Sequence, residues 1–275
     1  MKKILIGVLF LVSFLNANSF TEAINAYKNG NIQKSIKLFT KACDNGYSSA
    51  CYNLGLINYN GNGVKQNKHK AGEFYKKSCN SGHMQACTNL GLMNFNGDAI
   101  AQNKEKAKEL FIKACDGEHI DACYNLGFMY DNGNGVKKDK RKAQSLYQIA
   151  CEKGFFNGCS NLGLLYDKGD GVPQNKQQAK KLFDKACNGG SIAGCFNLAL
   201  MYDNGDSVKK DKKHAKELYT LACNNGHIHA CYNLGLLYYY EEQNNQQAKK
   251  LFAIACKHGF TSACKNYKIL NEQNK

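Results

Sequence analysis

Fourteen thiols dominate the chemistry open to this 275-residue chain. They fall at Cys43/Cys51, Cys79/Cys87, Cys115/Cys123, Cys151/Cys159, Cys187/Cys195, Cys223/Cys231 and Cys256/Cys264, each pair spaced i, i+8. Thiolates can hold zinc, attack carbonyls or pair into disulfides. Zinc knuckles place their Cys two to four residues apart, and no two Cys here are closer than eight positions. An even count behind a secretory leader reads instead as full pairing, which leaves no thiol as nucleophile. Other catalytic sets are sparse. Ser207-Val-Lys-Lys210 and Ser262-Ala-Cys-Lys265 match the S-x-x-K pattern of serine β-lactamases, but S-D-N and K-T-G occur nowhere. His227-x-His229 lies in a turn without a third ligand in view, and the other His are scattered. No metal or cofactor is expected, and the residues alone define no active site.

Recurrent amides offer binding chemistry instead. Asn53, Asn89, Asn125, Asn161, Asn197 and Asn233 each stand two residues past a Cys, on otherwise apolar segments. An amide both donates and accepts, so such a ladder could hold the backbone of an extended peptide. Tyr52, Tyr124, Phe196 and Tyr232 stand beside them and could grip side chains. The competing reading has each Asn satisfied inside the fold, as buried amides must be.

The positioning elements follow from the spacing. Successive Cys pairs lie 36 residues apart, and the last 33. A period in this range marks a helical-repeat array rather than one globular core. A stretch such as Cys123 to Tyr130 reads as a first helix, stopped at Gly61, Gly97, Gly133, Gly169 or Gly205. Asn67, Asn103, Asp139, Asn175, Asp211 and Asn245 are the expected N-caps of the second helices. Ala107, Leu110, Phe111, Ala114 and Cys115 then form one apolar stripe, repeated at Ala179, Leu182, Phe183, Ala186 and Cys187. On one straight helix, eight residues would span about 12 Å, whereas a disulfide needs Cα atoms roughly 4.4–6.8 Å apart. The chain must therefore reverse between paired Cys, and Gly46, Gly82, Gly154, Gly190, Gly226 and Gly259 supply the turn, with Glu118 the exception. Pairing Cys51 with Cys79, Cys87 with Cys115 and onward is also geometrically open. It would orphan Cys43 and Cys264, so local pairing is expected.

Met1-Lys2-Lys3, the apolar run Ile4–Leu15 and Ala17-Asn18-Ser19 read as a signal peptide, residues 1–19, which predicts a secreted or periplasmic protein. The run is shorter than the roughly 20 residues of a membrane span. The net charge of +15 falls by two with Lys2 and Lys3; the remainder would favour acidic peptides. Arg141 is the only Arg, which argues against a nucleic-acid partner.

The unit Ala-Cys-x-Asn-Leu-Gly, then Gly-x-Gly-Val, then an aromatic, a small residue and Cys resembles the Sel1-like repeat, a relative of the tetratricopeptide repeat. The 36-residue form with paired Cys resembles the Helicobacter cysteine-rich protein family. Ala199 in place of Gly, Gly97-Asp98-Ala99-Ile100 and Ser207 depart from the pattern. The resemblance implies an all-α fold, a right-handed α/α superhelical solenoid. The expected organisation is one domain over 20–275, with seven helix pairs and a C-terminal capping helix. Residues 20–43 form a tetratricopeptide-like unit, 51–256 the cysteine-paired repeats, and 264–275 the cap and tail. Membership implies protein or peptide binding on a concave face, and the expected state is a monomer. Its alternative is penicillin binding with slow β-lactamase activity, for which a β-lactam or cell-wall peptide is the partner.

Overall fold

The structure is a computed structural model and describes residues 18–272. The expected leader lies almost wholly outside the described residues. Among them are fifteen helices and no strand: α1 over 18–28, α2 Ile32–Asp44, α3 Ser48–Asn60, α4 Lys68–Asn80, α5 Met84–Asn96, α6 Lys104–Asp116, α7 Ile120–Asn132, α8 Lys140–Glu152, α9 Phe156–Lys168, α10 Lys176–Asn188, α11 Ile192–Asn204, α12 Lys212–Asn224, α13 Ile228–Tyr240, α14 Asn245–Lys257 and α15 Thr261–Glu272. They make seven consecutive pairs and a terminal cap. Contacts gather into two compact units, Met1–Lys138 and Asp139–Lys275.

All seven disulfides form between neighbours at separation eight, with Cα atoms 4.4–4.8 Å apart. In the first unit they are Cys43–Cys51, Cys79–Cys87 and Cys115–Cys123. In the second they are Cys151–Cys159, Cys187–Cys195, Cys223–Cys231 and Cys256–Cys264. Each joins the last turn of a second helix to the first turn of the next first helix. The alternative register, Cys51 with Cys79 and onward, does not occur. The reversal between paired Cys is a hydrogen-bonded helix stop. Gly46 N–H donates to the Cys43 carbonyl and Tyr47 N–H to that of Ala42, both at 3.0 Å, with Gly46 left-handed at φ 87°. Where Glu118 replaces that glycine, Glu118 itself adopts φ 62°. Closing so short a loop stabilises by roughly 2.5 kcal/mol per bond in the chain-entropy account.

Two boundaries differ from the sequence expectation. First helices start three residues before the second Cys, so α7 begins at Ile120 rather than Cys123, and the cap helix α15 at Thr261 rather than Cys264. Likewise Cys195 and Cys231 are the fourth residues of α11 and α13 rather than the first. The N-caps there include His83, His119 and His227, residues outside the usual Ser/Thr/Asp/Asn set, which hid the start. The second correction concerns α14. Its cap is Asn244, accepting from Gln247 N–H at 3.1 Å, whereas the expected Asn245 is the first helical residue. The shorter loop before α14 shifts the register among consecutive amides. The other caps, Asn67, Asn103, Asp139, Asn175 and Asp211, accept from backbone N–H three residues on, at 2.8–3.0 Å.

Within each unit one aromatic per second helix fills the core. Tyr75 and Phe111 are 1% exposed in the first unit, and Phe183, Tyr219 and Phe252 1% or less in the second. The glycine of Asn-Leu-Gly exists for these rings. A Cβ on Gly55 would lie 2.4 Å from Tyr75, and one on Gly91, Gly163 or Gly235 2.6–2.7 Å from its facing phenylalanine. Ala199 breaks the pattern and still packs in one core cluster with Tyr219. Lysines at the start of second helices pair with loop aspartates 30 residues on: Lys68–Asp98 at 3.0 Å, Lys140–Asp170 at 2.6 Å and Lys176–Asp206 at 2.9 Å.

Candidate functional site

The six asparagines all lie on first helices and are all half-buried. Those with defined partners bond inside the fold, in different ways. Asn53 Nδ2 donates to the Ser49 carbonyl at 2.8 Å. Asn89 reaches the hydroxyls of Tyr52 and Tyr75. Asn197 Nδ2 lies 3.4 Å from Ser160 Oγ, and Asn233 Nδ2 donates to the Tyr219 hydroxyl at 3.3 Å. Burial pushes the Tyr75 and Tyr219 hydroxyls well above the usual phenol range, so both stay protonated. Asn161 also has partners within the fold, and Asn125 sits in the same half-buried position. Each of these residues keeps part of its surface exposed.

The first-helix cysteines nearest these amides lie in the core rather than on this face. Cys195 and Cys231, two residues before Asn197 and Asn233, are buried and pack in the same core cluster as Ala199 and Tyr219. Their sulfurs are therefore structural and out of reach of a ligand on the open side of α11 or α13.

The aromatic neighbours are spent on joining repeats. Tyr52 stacks on His83 with centroids 4.5 Å apart, and Phe196 on His227 at 4.2 Å. Tyr232 meets Phe260 edge-on at 4.8 Å. In each case a ring on one first helix packs against the residue just before the next. Tyr124 occupies the same register and also has partners within the fold. His83 and His227 accept from Ala86 and Ala230 N–H through Nδ1, at 3.3 and 3.2 Å, a role open only to the neutral ring. Burial lowers both imidazoles, and the neighbouring His119 or His229 adds to it.

A second stripe escaped the sequence reading. Three residues past each asparagine stands Leu56, Leu92, Phe128, Leu164, Leu200 or Leu236, none of them buried, with Phe128 38% exposed. Four residues further come the exposed Asn60, Asn96, Asn132, Lys168, Asn204 and Tyr240. Spacing of i, i+3, i+7 puts all three on one helix face. Each of these six first helices thus presents a half-buried asparagine, an apolar side chain and an exposed residue in line. Between α3 and α5 this face forms a cleft of about 270 Å³, lined in part by Leu56, Tyr59, Asn89, Leu92 and Asp98. There Tyr59 donates to Asp98 at 2.7 Å and Lys68 sits 3.0 Å from the same carboxylate, and these two hydrogen bonds hold Asp98 below the usual carboxylate range. Five of the first helices, α3, α5, α7, α11 and α13, contain no Lys or Arg. The basic charge is carried mainly by the second helices and the loops before them.

The catalytic candidates are not brought together with any partner. Ser207 is exposed in the loop before α12, with its carbonyl accepting from Gln177, and Ser262 is exposed in the first turn of α15. Their paired lysines, Lys210 and Lys265, are not buried either. His227 and His229 lie 6.0 Å apart by ring centroid, and no group of three or more His, Cys, Asp or Glu side chains fit to hold a metal occurs among the described residues.

Comparison with known proteins follows the repeat boundaries. The Sel1 repeat family model matches residues 26–47, 48–83, 85–119, 120–155, 157–191, 192–227 and 228–260. A Sel1 repeat protein from Oxalobacter formigenes superposes with a TM-score of 0.80 at 27% identity, over 87% of this chain and 99% of that one. Helicobacter pylori cysteine rich protein B is 38% identical over 46% of this chain and 91% of its own, with a TM-score of 0.38. A curated relative, the "Putative beta-lactamase HcpE" of Helicobacter pylori, is 42% identical over 71 residues, 23% of this chain. This chain spans 20% of that protein's length.

Proposed function

This chain belongs to the Sel1 repeat family, and from that premise we propose that it is an exported scaffold whose first helices bind a protein or an extended peptide. The observation that carries the reading is the repeated amide, apolar and exposed-residue stripe on a face that the fold leaves partly open. An extended ligand with a roughly regular side-chain spacing can meet such a row with backbone hydrogen bonds to the amides and apolar contacts to the leucines. Seven disulfides and no free cysteine support export, because such bonds persist in oxidising compartments. The lysines lie mainly off the first helices, so the net charge recruits acidic partners to the molecule without reading them at this face.

A peptide array probed with the purified, oxidised chain tests this. Leu92→Ala and Leu200→Ala, at partly exposed positions, are expected to weaken selected peptides about tenfold while leaving the melting temperature within a few degrees. Selected peptides that bind both variants as well as the parent would remove the reading. The printed name of HcpE supports a second reading, slow hydrolysis of β-lactams. It predicts nitrocefin turnover that follows this chain through repeated purification and is lost on replacing Ser207 or Ser262; turnover indifferent to both serines discards that site assignment.

A further inference from the structure

On the second-helix side, α4 and α6 flank a cleft of about 490 Å³ with α5 beneath. Its opening comes from two residues that break a column of the repeat. In the four following repeats the position of Gly72 is taken by Lys108, Gln144, Lys180 or Lys216, and the facing position of Asn94 by Tyr130, Tyr166, Tyr202 or Tyr238, whereas the preceding repeat has Ile36 and Asn58 there. These pairs close over the groove. Gln144 donates to the Tyr166 hydroxyl at 2.8 Å, and the Lys180 and Lys216 ammonium groups lie 5.7 and 4.5 Å over the rings of Tyr202 and Tyr238. Gly72 offers no side chain, and Asn94 turns back to donate to the Leu90 carbonyl at 2.8 Å. The equivalent groove between α8 and α10 measures about 290 Å³.

The lining has a defined chemistry. Leu90, Ile100 and Leu110 give an apolar floor. Three lysines stand at the rim against two glutamates. Glu109 is taken by Lys106 at 2.7 Å, and Glu73 faces His69 at 3.6 Å. Lys113 donates to the Cys79 carbonyl at 2.9 Å. Lys76 is exposed and has no carboxylate within ion-pair distance among the described residues. We propose that this cleft binds a compact apolar group bearing one anionic head, an aryl or short acyl carboxylate, with the apolar part on Leu90 and Leu110 and the carboxylate at Lys76. Its volume falls in the range of small-molecule sites, and a few charges over an apolar floor fix the orientation of such a ligand. It shares no residue with the first-helix stripe, so the two proposals stand or fall separately.

The chain contains no Trp, so a naphthalene probe can be followed by its own fluorescence. The experiment titrates the oxidised protein with 1-naphthylacetate and its neutral amide. The acid is expected to bind about tenfold more tightly than the amide. Gly72→Lys with Asn94→Tyr rebuilds the pair found in the following repeats. It is expected to keep or raise the melting temperature and to weaken the acid at least about tenfold. Lys76→Gln, at an exposed position, should bring acid and amide to the same affinity. The proposal is overturned if the folded double variant binds as the parent does, if Lys76→Gln leaves the preference intact, or if neither probe binds at millimolar concentration.

Discussion

The groove over α5 and the groove over α9 occupy the same place in the repeat, 72 residues apart, and differ by about 200 Å³. Everything that fixes the backbone is shared between them. Cys79–Cys87 and Cys151–Cys159 have Cα separations of 4.7 and 4.5 Å, Asn67 and Asp139 cap the leading helices, and Gly91 and Gly163 each lie against a phenylalanine. The lateral pair differs, Gly72 with Asn94 against Gln144 with Tyr166, and so do rim residues such as Lys76 against Gln148 and Glu109 against Lys181. In this stapled repeat the positions that set the backbone geometry are separate from those that line the groove, so one set can vary while the other stays.

The largest expected effect falls on the shared part. Gly91→Val and Gly163→Val drive a branched side chain toward a ring that a single Cβ would already approach to 2.6 Å. Each should cost about 3 kcal/mol or more by overpacking, read from urea midpoints, and the two should agree. A loss at one site alone would mean that the repeats are not equivalent frames. Next come the staples. Replacing Cys79 and Cys87 together by Ser, or Cys151 and Cys159, is expected to cost roughly 2.5 kcal/mol in either region, measured by the same unfolding curves. A clearly unequal loss would make the bonds part of what distinguishes the grooves.

The comparison can also be inverted. Gln144→Gly with Tyr166→Asn opens the α8–α10 groove to match its counterpart, at a cost of about 2 kcal/mol from lost packing and one lost hydrogen bond. Stability unchanged by this pair would show that the Gln144–Tyr166 contact does not close the groove.

The smallest effect concerns pH. Burial lowers His83 and His227 in the folded state, where each accepts a backbone N–H at a helix start, a place that also disfavours positive charge. For a base lowered on folding, stability is complete above the unfolded value near 6.5 and falls as pH drops from there through the folded value. Losing one such cap is worth about 1 kcal/mol. Melting temperatures should therefore fall between pH 7.5 and pH 5, and the fall should shrink in His83→Asn and His227→Asn, whose amides cap at every pH. An unaltered pH profile in both variants would assign the acid sensitivity elsewhere.

Much of this was legible in the chain because it rests on spacing. An i, i+8 bond cannot close on a straight helix, so local pairing requires the reversal, and local pairing is the register that orphans no Cys; Cys187–Cys195 and Cys223–Cys231 follow it like the rest. The caps Asn67, Asn103 and Asp139 follow from residue type. What escaped depends on contacts between positions with no common motif. Histidine and aromatic residues capping the first helices gave no signal of a helix start. The glycine of Asn-Leu-Gly was visible, but the ring it accommodates lies some 20 residues away on the next helix. The asparagine ladder is visible in the sequence, whereas the apolar residues three positions on carry no mark there of lying on an open face. Their partial exposure is a property of the face and not of the residue. Gly72 could have been noticed by stacking the repeats in columns, where it precedes a run of Lys or Gln, while Asn94 shares its position with Asn58 before a run of Tyr.

Site-specific photo-crosslinking in the compartment where the protein resides tests the proposed binding face most directly. A benzophenone side chain placed at Leu92 or Leu200, on first helices, should yield discrete crosslinked adducts with a partner. The same group at the exposed Lys181, on a second helix, should yield none of them. Equal adducts from Lys181, or adducts from Lys181 alone, would contradict the account.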